Sequence, residues 1–194
     1  MRISAHLCDH DLMRVAITGA HGVGKSTLAA ELAEILGLPV LATPGRTLAG
    51  RELPVNEQAT VASQVIAWLI QYRLEREQAA WVAPRSLIDV WAYTALAAGR
   101  RQEGAVDTAL FEELGRAMPY ALRGAYEELI YIPPLIALQA DDVRPAGEAF
   151  QRATDEAILE ALDRWEVPHT SVDVRDRPAV TALIERLATQ ARAG

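Results

Sequence analysis

The chain has 194 residues, 51% of them hydrophobic, and a formal net charge of −7 at pH 7. This length suits one α/β domain with a substantial core. No apolar run approaches the roughly 18 residues that a membrane-spanning helix needs, and the acidic balance disfavours nucleic acid as a partner.

The N-terminal residues 1–12 are rich in polar and charged side chains and lack the apolar segment of a secretory signal. We expect them to form a flexible extension, followed by a single domain over residues 13–194. The lone cysteine, Cys8, excludes an internal disulfide and fits a reducing compartment, so we expect a cytoplasmic protein. His6 and His10 flank Cys8 at alternate positions, a spacing that matches no closed zinc site.

Strand and helix patterns alternate along the chain. Short apolar runs that end at glycine, proline or polar residues predict strands at residues 14–18, 38–42, 81–83, 129–132 and 170–174. Apolar stripes with a 3.6-residue period predict helices from Ser26 to Leu36, after an Asn56 cap, from Leu87 to Ala98 before Gly99, from Phe150 to Trp165 and from Pro178 onward. This alternation predicts an α/β fold, a parallel sheet with helices on both faces.

Residues 19–26 read GAHGVGKS and match the phosphate-loop pattern G-x-x-x-x-G-K-[ST], between a predicted strand and a predicted helix. Glycines let successive amides point at phosphate oxygens, and the helix N-terminus adds its positive dipole end. Lys25 can then reach the β- and γ-phosphates, and the Ser26 hydroxyl can ligate Mg²⁺. The residues expected to hold the nucleotide are Gly19, His21, Gly22, Val23, Gly24, Lys25, Ser26 and Thr27.

The loop predicts ATP and Mg²⁺ as cofactors but leaves the reaction open, because ATPases, GTPases and kinases share it. The sequence has no Asn-Lys-x-Asp segment of the kind that selects guanine, which favours ATP over GTP. The alternative interpretation is a glycine-rich helix entry without a ligand.

A second segment, RSLIDVWAY at residues 85–93, resembles the Asp-Arg-Ser…Asp…Ala-Tyr signature of small P-loop kinases. Gly45-Arg46, the Pro-Pro after the strand at 129–132 and DDVR at 141–144 resemble the same group. The chain is thus similar to P-loop nucleoside- and nucleotide-kinase-like ATPases, including ribosylnicotinamide-kinase-like AAA-type ATPase domains. The resemblance implies a three-layer P-loop NTPase fold with about five strands, and transfer of the γ-phosphate of ATP to a nucleoside, nucleotide or related small acceptor.

The resemblance also implies roles for three arginines. Arg144 would lie in a mobile lid and neutralise charge on the transferring phosphoryl group. Its alternative is a solvated arginine paired with Asp141 or Asp142. Arg46 and Arg85 would bind phosphate or sugar groups of the acceptor, with ordinary surface positions as the alternative.

Two carboxylates of the family pattern are absent, since Pro84 precedes the Arg-Ser pair and Thr43-Pro44 precedes the Gly-Arg pair. Asp89 is the nearest replacement as catalytic base or magnesium ligand. If Ser86 caps a helix, Asp89 completes a capping box. If the strand continues instead, Asp89 lies at its carboxyl end, where open α/β sheets bind ligands. The helical spacing of the following apolar residues favours the first register.

The missing carboxylates support a second class of function, a nucleotide-binding regulatory protein or degenerate kinase without efficient transfer. A kinase acting on a modified base in nucleic acid is a third. The predicted partners are a nucleoside triphosphate and a small-molecule acceptor, and a homodimer stays open. The acceptor pocket is expected between the long helix and the segment after Arg85, lined in part by Trp68, Tyr72 and Trp91, although helical spacing favours core packing for Trp68 and Tyr72.

Overall fold

The computed structural model describes residues 13–100, 104–134 and 147–193. Its strands are β1 (Arg14–Thr18), β2 (Trp81–Ala83), β3 (Glu128–Tyr131) and β4 (Thr170–Ser171). Its helices are α1 (Lys25–Leu36), α2 (Pro44–Ala49), α3 (Val61–Glu77), α4 (Leu87–Arg100), α5 (Ala105–Leu122), α6 (Gly147–Arg164) and α7 (Arg177–Ala193), with a short 3-10 helix at Asn56–Gln58. The predicted N-terminal extension and Arg144 lie outside the described residues.

The four strands form one parallel sheet in the order β2-β1-β3-β4. The predicted strand at 38–42 makes only a single parallel bridge, Val40 to Val82, beside which the Leu41 N–H donates to the Val82 carbonyl at 2.9 Å. Pro39 has no N–H to extend this pairing, and the chain turns into α2 at Pro44. The described residues therefore contain four strands and a bridge where about five strands were predicted.

Two apolar cores cover the two faces of the sheet, because side chains alternate across each strand. In β1, Val15 and Ile17 pack toward α1 and α7, whereas Ala16 packs toward the larger core built on α3, α4, α5 and α6. The predicted three-layer α/β fold is confirmed. In the part of the chain that the structure describes, no helix is both long and apolar enough to cross a membrane.

Several predicted helix boundaries are wrong. Asn56 begins the 3-10 helix, and Thr60 caps α3 instead, through a reciprocal capping box in which Ser63 N–H donates to Thr60 Oγ1 at 3.1 Å and Thr60 N–H donates to Ser63 Oγ at 3.0 Å. Gly99 does not end α4, which continues to Arg100. Helices α2 and α5 had no sequence prediction.

Gly19 joins β1 to the phosphate loop under unusually tight constraints. Its φ is +148°, and a Cβ there would lie 2.5 Å from the Ile132 carbonyl oxygen. We expect Gly19→Ala to lower the free energy of unfolding by about 3 kcal/mol or more, because backbone strain of about 1–3 kcal/mol adds to a clash with backbone that cannot move cheaply. Gly37→Ala is the matched control, since φ is +66° there but the space is open. Denaturant unfolding measures the free energy of unfolding of both variants, and an equal loss in the two would contradict a steric clash at Gly19.

Candidate active site

The phosphate loop connects the carboxyl end of β1 to α1. Gly22 and Gly24 have φ values of +80° and +96°, a left-handed backbone that glycine adopts without strain. Gly24 is also the N-cap of α1, and no side chain of the described residues caps this helix. The first-turn amides therefore have no competing side-chain partner, and they can accept an anion together with the positive end of the helix dipole.

Lys25 is buried behind the loop, with its side chain folded back on the backbone. Its Nζ donates to the carbonyls of Gly19 and, at 2.6 Å, Ala20. The Nζ atom also lies 3.8 Å from Asp89 Oδ1. Burial lowers the pKa of Lys25 to about 8, and the negative charge of Asp89 only partly offsets this effect. The lysine is thus charged at neutral pH but close to its titration point.

We expect nucleotide affinity to fall as pH rises above 8. In the free protein the pKa of Lys25 is about 8; bound phosphates stabilise the ammonium, so binding above that pH must take up a proton. Each pH unit above 8 should then weaken binding by up to about tenfold, with little change below pH 7.5. Titrating a fluorescent ATP analogue between pH 7 and 9.5 checks this. Lys25→Arg keeps its charge and should show no such fall; equal pH profiles would contradict the interpretation.

Asp89 follows the helical register, the first of the two alternatives that the sequence left open. It lies in the first turn of α4, fully buried, and its Oδ2 accepts 2.8 Å hydrogen bonds from both the amide and the hydroxyl of Ser86. Its Oδ1 accepts no hydrogen bond from any described residue and faces Lys25. The helical register is correct, and the carboxylate still lies beside the phosphate loop.

Sequence reasoning missed Asp155, a second carboxylate near the loop. Tyr131, the last residue of β3, donates its hydroxyl proton to Asp155 Oδ1 at 2.8 Å, and burial raises the pKa of this carboxyl. Asp155 is close enough to raise the pKa of Lys25. A signal existed in the sequence, since Gln151 and Asp155 place polar groups on the buried stripe that Ile158 continues.

Helix α6 packs directly on the loop. Gln151 Nε2 donates to the His21 carbonyl at 2.8 Å, and the Phe150 ring stacks on the His21 ring at 5.5 Å between centroids. His21 is therefore a contact between the loop and α6, as well as a predicted nucleotide-binding residue. Ser26 and Thr27 are exposed in the first turn of α1 and take no part in the contact between the loop and α6.

A narrow cleft, with a cavity volume of about 30 Å³, lies beside α3 and the start of α4. Its walls are largely apolar, with two amides and one guanidinium, and its lining residues are Pro44, Gly45, Leu48, Val55, Asn56, Gln64, Ala67, Arg85, Val90 and Tyr93. The Arg85 guanidinium lies 4.9 Å from the centre of the Tyr93 ring. Burial acts to lower the pKa of Arg85, but Tyr93 and Asp89 outweigh it, so the net pKa is raised and the cation persists. Arg46 is an exposed residue of α2 and does not line the cleft.

The cleft lies in the region where the acceptor pocket was expected, but Trp91 does not line it, and Trp68 and Tyr72 have the core packing that their helical spacing favoured. Trp68 stacks on Tyr72 at 5.0 Å, and Trp91 stacks on Phe111 at 4.7 Å, all as part of the larger core. Successive residues of a helix point about 100° apart, so α4 turns Trp91 into the core while Tyr93 faces the cleft. Tyr93 is thus the aromatic residue that lines the cleft.

A second groove, with a volume of about 180 Å³, adjoins the loop between α1 and α7. It shares no lining residue with the cleft and is formed by Gly24, Thr27, Leu28, Glu31, Val174, Arg177 and Val180. An Arg177–Glu31 ion pair at 2.7 Å closes one side of it. This groove contains Gly24 of the phosphate loop, whereas the lining of the cleft contains no loop residue.

A family model described as an AAA domain matches residues 14–177. The chain belongs to this AAA-domain family. The match contains the loop, both carboxylates near Lys25 and every residue of the cleft. No curated protein matches the sequence significantly.

Solved structures similar to this AAA-domain chain share its fold at low sequence identity. NadR in complex with NAD and AMP-PNP has a TM-score of 0.64 and 15% identity over 91% of this chain and 49% of its own, so this chain spans about half of NadR. Deoxyadenosine kinase from M. mycoides with bound dCTP has a TM-score of 0.63 and 16% identity, over 92% of this chain and 100% of its own. Shikimate kinase from Acinetobacter baumannii with shikimate has a TM-score of 0.52 and 17% identity, over 95% of each chain. The P-loop nucleoside- and nucleotide-kinase-like fold is confirmed.

Proposed function

We propose that this protein is an ATP-dependent phosphotransferase that moves the γ-phosphoryl group to a small acceptor bound at the cleft between α3 and the start of α4. One observation carries the proposal: a fully buried carboxylate oxygen, Asp89 Oδ1, faces the phosphate-loop lysine at 3.8 Å. Asp89 immediately precedes Val90, which lines the cleft. A nucleotide site and an acceptor site would then meet at this pair.

The loop amides and Lys25 would hold the triphosphate. On binding, Lys25 exchanges the carbonyls of Gly19 and Ala20 for β- and γ-phosphate oxygens, which are stronger, charged acceptors. The groove between α1 and α7 begins at Gly24 and Thr27, so it is the place for the nucleoside part of ATP. His21, Gly22 and Val23 complete the loop as backbone donors.

The oxygen groups near the loop fit Mg²⁺, which prefers oxygen ligands and keeps several waters when it binds with phosphates. The Ser26 hydroxyl is exposed in the first turn of α1, and Asp89 Oδ1 is a buried acceptor without a hydrogen-bond partner among the described residues. Ser26 would be a direct ligand, and Asp89 a direct ligand or a partner of a bound water. When bound, Mg²⁺ neutralises the developing charge on the β- and γ-phosphates.

Asp89 would also accept the proton of the acceptor hydroxyl. As that O–H bond breaks, the acceptor oxygen forms the new bond to the γ-phosphorus, the bond from the γ-phosphorus to the bridging oxygen breaks, and ADP leaves. Arg85 would hold a polar or anionic part of the acceptor, because its guanidinium stays charged within the cleft. The solved structures of similar fold include complexes with dCTP and with shikimate, which supports a small acceptor.

A second candidate is a nucleotide-binding regulator without efficient transfer. Pro84 and Thr43-Pro44 stand where the kinase-like pattern has carboxylates, which favours this alternative. It predicts tight MgATP binding and no acceptor-stimulated turnover.

The experiment is ADP release from MgATP by the purified protein, alone and with pooled nucleosides, nucleoside monophosphates and ribosylated vitamins. The phosphotransferase predicts stimulation by one pool, with the phosphorylated acceptor detected by mass spectrometry. Tight binding with equal, slow release in every pool would overturn it in favour of the regulator.

A further inference from the structure

A buried polar network lies behind the turn that carries Arg85 and Asp89. Glu75, in α3, is 4% exposed, and its carboxylate accepts hydrogen bonds from Gln71 Nε2 at 2.7 Å and from the Tyr126 hydroxyl at 3.2 Å. Neither donor is a cation. None of the three residues lines the cleft or the loop groove.

The network ends on two backbone groups, one on each side of Ser86. Gln71 Nε2 also donates to the Arg85 carbonyl at 3.1 Å, and the Leu87 N–H donates to the Tyr126 hydroxyl at 2.9 Å. The Ser86 N–H is already held by Asp89 Oδ2. Three consecutive backbone groups are therefore fixed at the start of α4.

Burying a carboxyl group in this position is costly. Burial is the main cause that raises the pKa of Glu75 to about 8, so the group is mostly the neutral acid at pH 7. Replacing both partners of a buried hydrogen bond by apolar groups of the same shape can be nearly neutral for stability, so stability does not require Glu75. Its contacts point to a different role, because they all lead to the turn that orients Arg85 and Asp89.

We propose that Glu75, Gln71 and Tyr126 are positioning residues for phosphoryl transfer. They fix the backbone from Arg85 to Leu87, so that Asp89 uses one oxygen for Ser86 and turns the other toward Lys25. A small shift of this turn moves the carboxylate away from the phosphate loop, and transfer depends on distances of a few tenths of an ångström. This inference rests on the proposed function.

The test compares Tyr126→Phe, Glu75→Leu and Glu75→Gln with a matched Tyr72→Phe control. Tyr72 also lies in α3, and its ring stacks on Trp68 outside the network. Three quantities are measured: melting temperature, amide hydrogen exchange of the segment 85–89, and the steady-state constants for ADP release with the most stimulating acceptor pool.

Tyr126→Phe and Glu75→Leu should each speed exchange in segment 85–89 and lower kcat by about tenfold, the cost of one lost hydrogen bond, with KM for MgATP within about twofold. Glu75→Leu also leaves the Tyr126 hydroxyl without its acceptor and should lower the melting temperature, whereas Glu75→Gln should not. Glu75→Gln keeps an acceptor for Tyr126 and should restore most of kcat. The double variant Tyr126→Phe/Glu75→Leu should have a kcat no lower than that of either single variant, because Tyr126 and Glu75 act in one chain of hydrogen bonds.

If amide exchange in the segment 85–89 is unchanged in Tyr126→Phe and Glu75→Leu, the network does not hold this turn. If exchange is faster but kcat is unchanged, the network holds the turn but has no role in transfer. If wild-type protein shows no acceptor-stimulated turnover, the proposed function fails and the role in transfer fails with it. The exchange data then decide separately whether the network holds the turn.

Discussion

Lys25→Ala is expected to weaken MgATP binding by about 10- to 100-fold. Hydrogen bonds to charged groups contribute about 1.5–3 kcal/mol, and 1.4 kcal/mol corresponds to tenfold in affinity. The loop amides and the dipole of α1 remain in the variant, so some phosphate binding persists. Removing Lys25 removes its own desolvation cost but leaves the buried Asp89 carboxylate without its counter-charge, so the melting temperature should fall and is measured alongside affinity.

Equilibrium titration with a fluorescent ATP analogue measures this effect, and Arg73→Ala is the matched loss of charge. Arg73 is exposed, and its ion pair among the described residues is with Glu77 in α3; its loss should leave affinity unchanged. Unchanged affinity in Lys25→Ala would exclude the loop as the triphosphate site.

Asp89→Asn is expected to lower kcat for phosphoryl transfer by about 10²–10⁴-fold, the usual contribution of a positioned general base. Asparagine keeps an oxygen that can accept the Ser86 hydrogen bonds, so the start of α4 should remain folded. What is lost is the negative charge that faces Lys25 and accepts the proton. Affinity for MgATP should change much less than kcat.

The control for Asp89→Asn is Asp107→Asn, which changes a first-turn carboxylate of α5 that belongs to neither the loop nor the cleft. Steady-state kinetics with the stimulating acceptor separates the two variants. If Asp89→Asn retains full turnover, Asp89 serves only as a helix cap, and the catalytic base must be sought elsewhere. Asp155, hydrogen-bonded to Tyr131 near Lys25, is then the next candidate.

The sequence predicted best where a local pattern and its context agree. The loop at 19–26 was identifiable because strand, glycines and helix are consecutive. The capping box of Ser86 and Asp89 was likewise predictable from three-residue spacing. That Asp89 also faces Lys25 depends on how α4 meets β1, which no local pattern encodes.

The incorrect and missing predictions also have their cause in tertiary packing. Helix α5 contains Gly115 and Pro119, two residues that weaken a helical pattern in the sequence. The helix nevertheless forms, and it packs closely on Trp91, since a Cβ at Gly115 would lie 3.1 Å from the Trp91 ring. Trp91 was expected to line the pocket, but the side of a helix that faces the core depends on the neighbouring helices, which no local pattern encodes. Asp155 is remote in sequence from the loop, and α6 brings it there.

The most direct measurement is a crystal structure of the protein with Mg²⁺ and a non-hydrolysable ATP analogue. We predict that the triphosphate lies along residues 19–27, with Lys25 on the β- and γ-phosphates, Ser26 on the metal, and the γ-phosphate directed toward Asp89 and the cleft at Arg85. A triphosphate bound outside the loop, or a γ-phosphate directed away from that cleft, would contradict the proposed phosphotransferase.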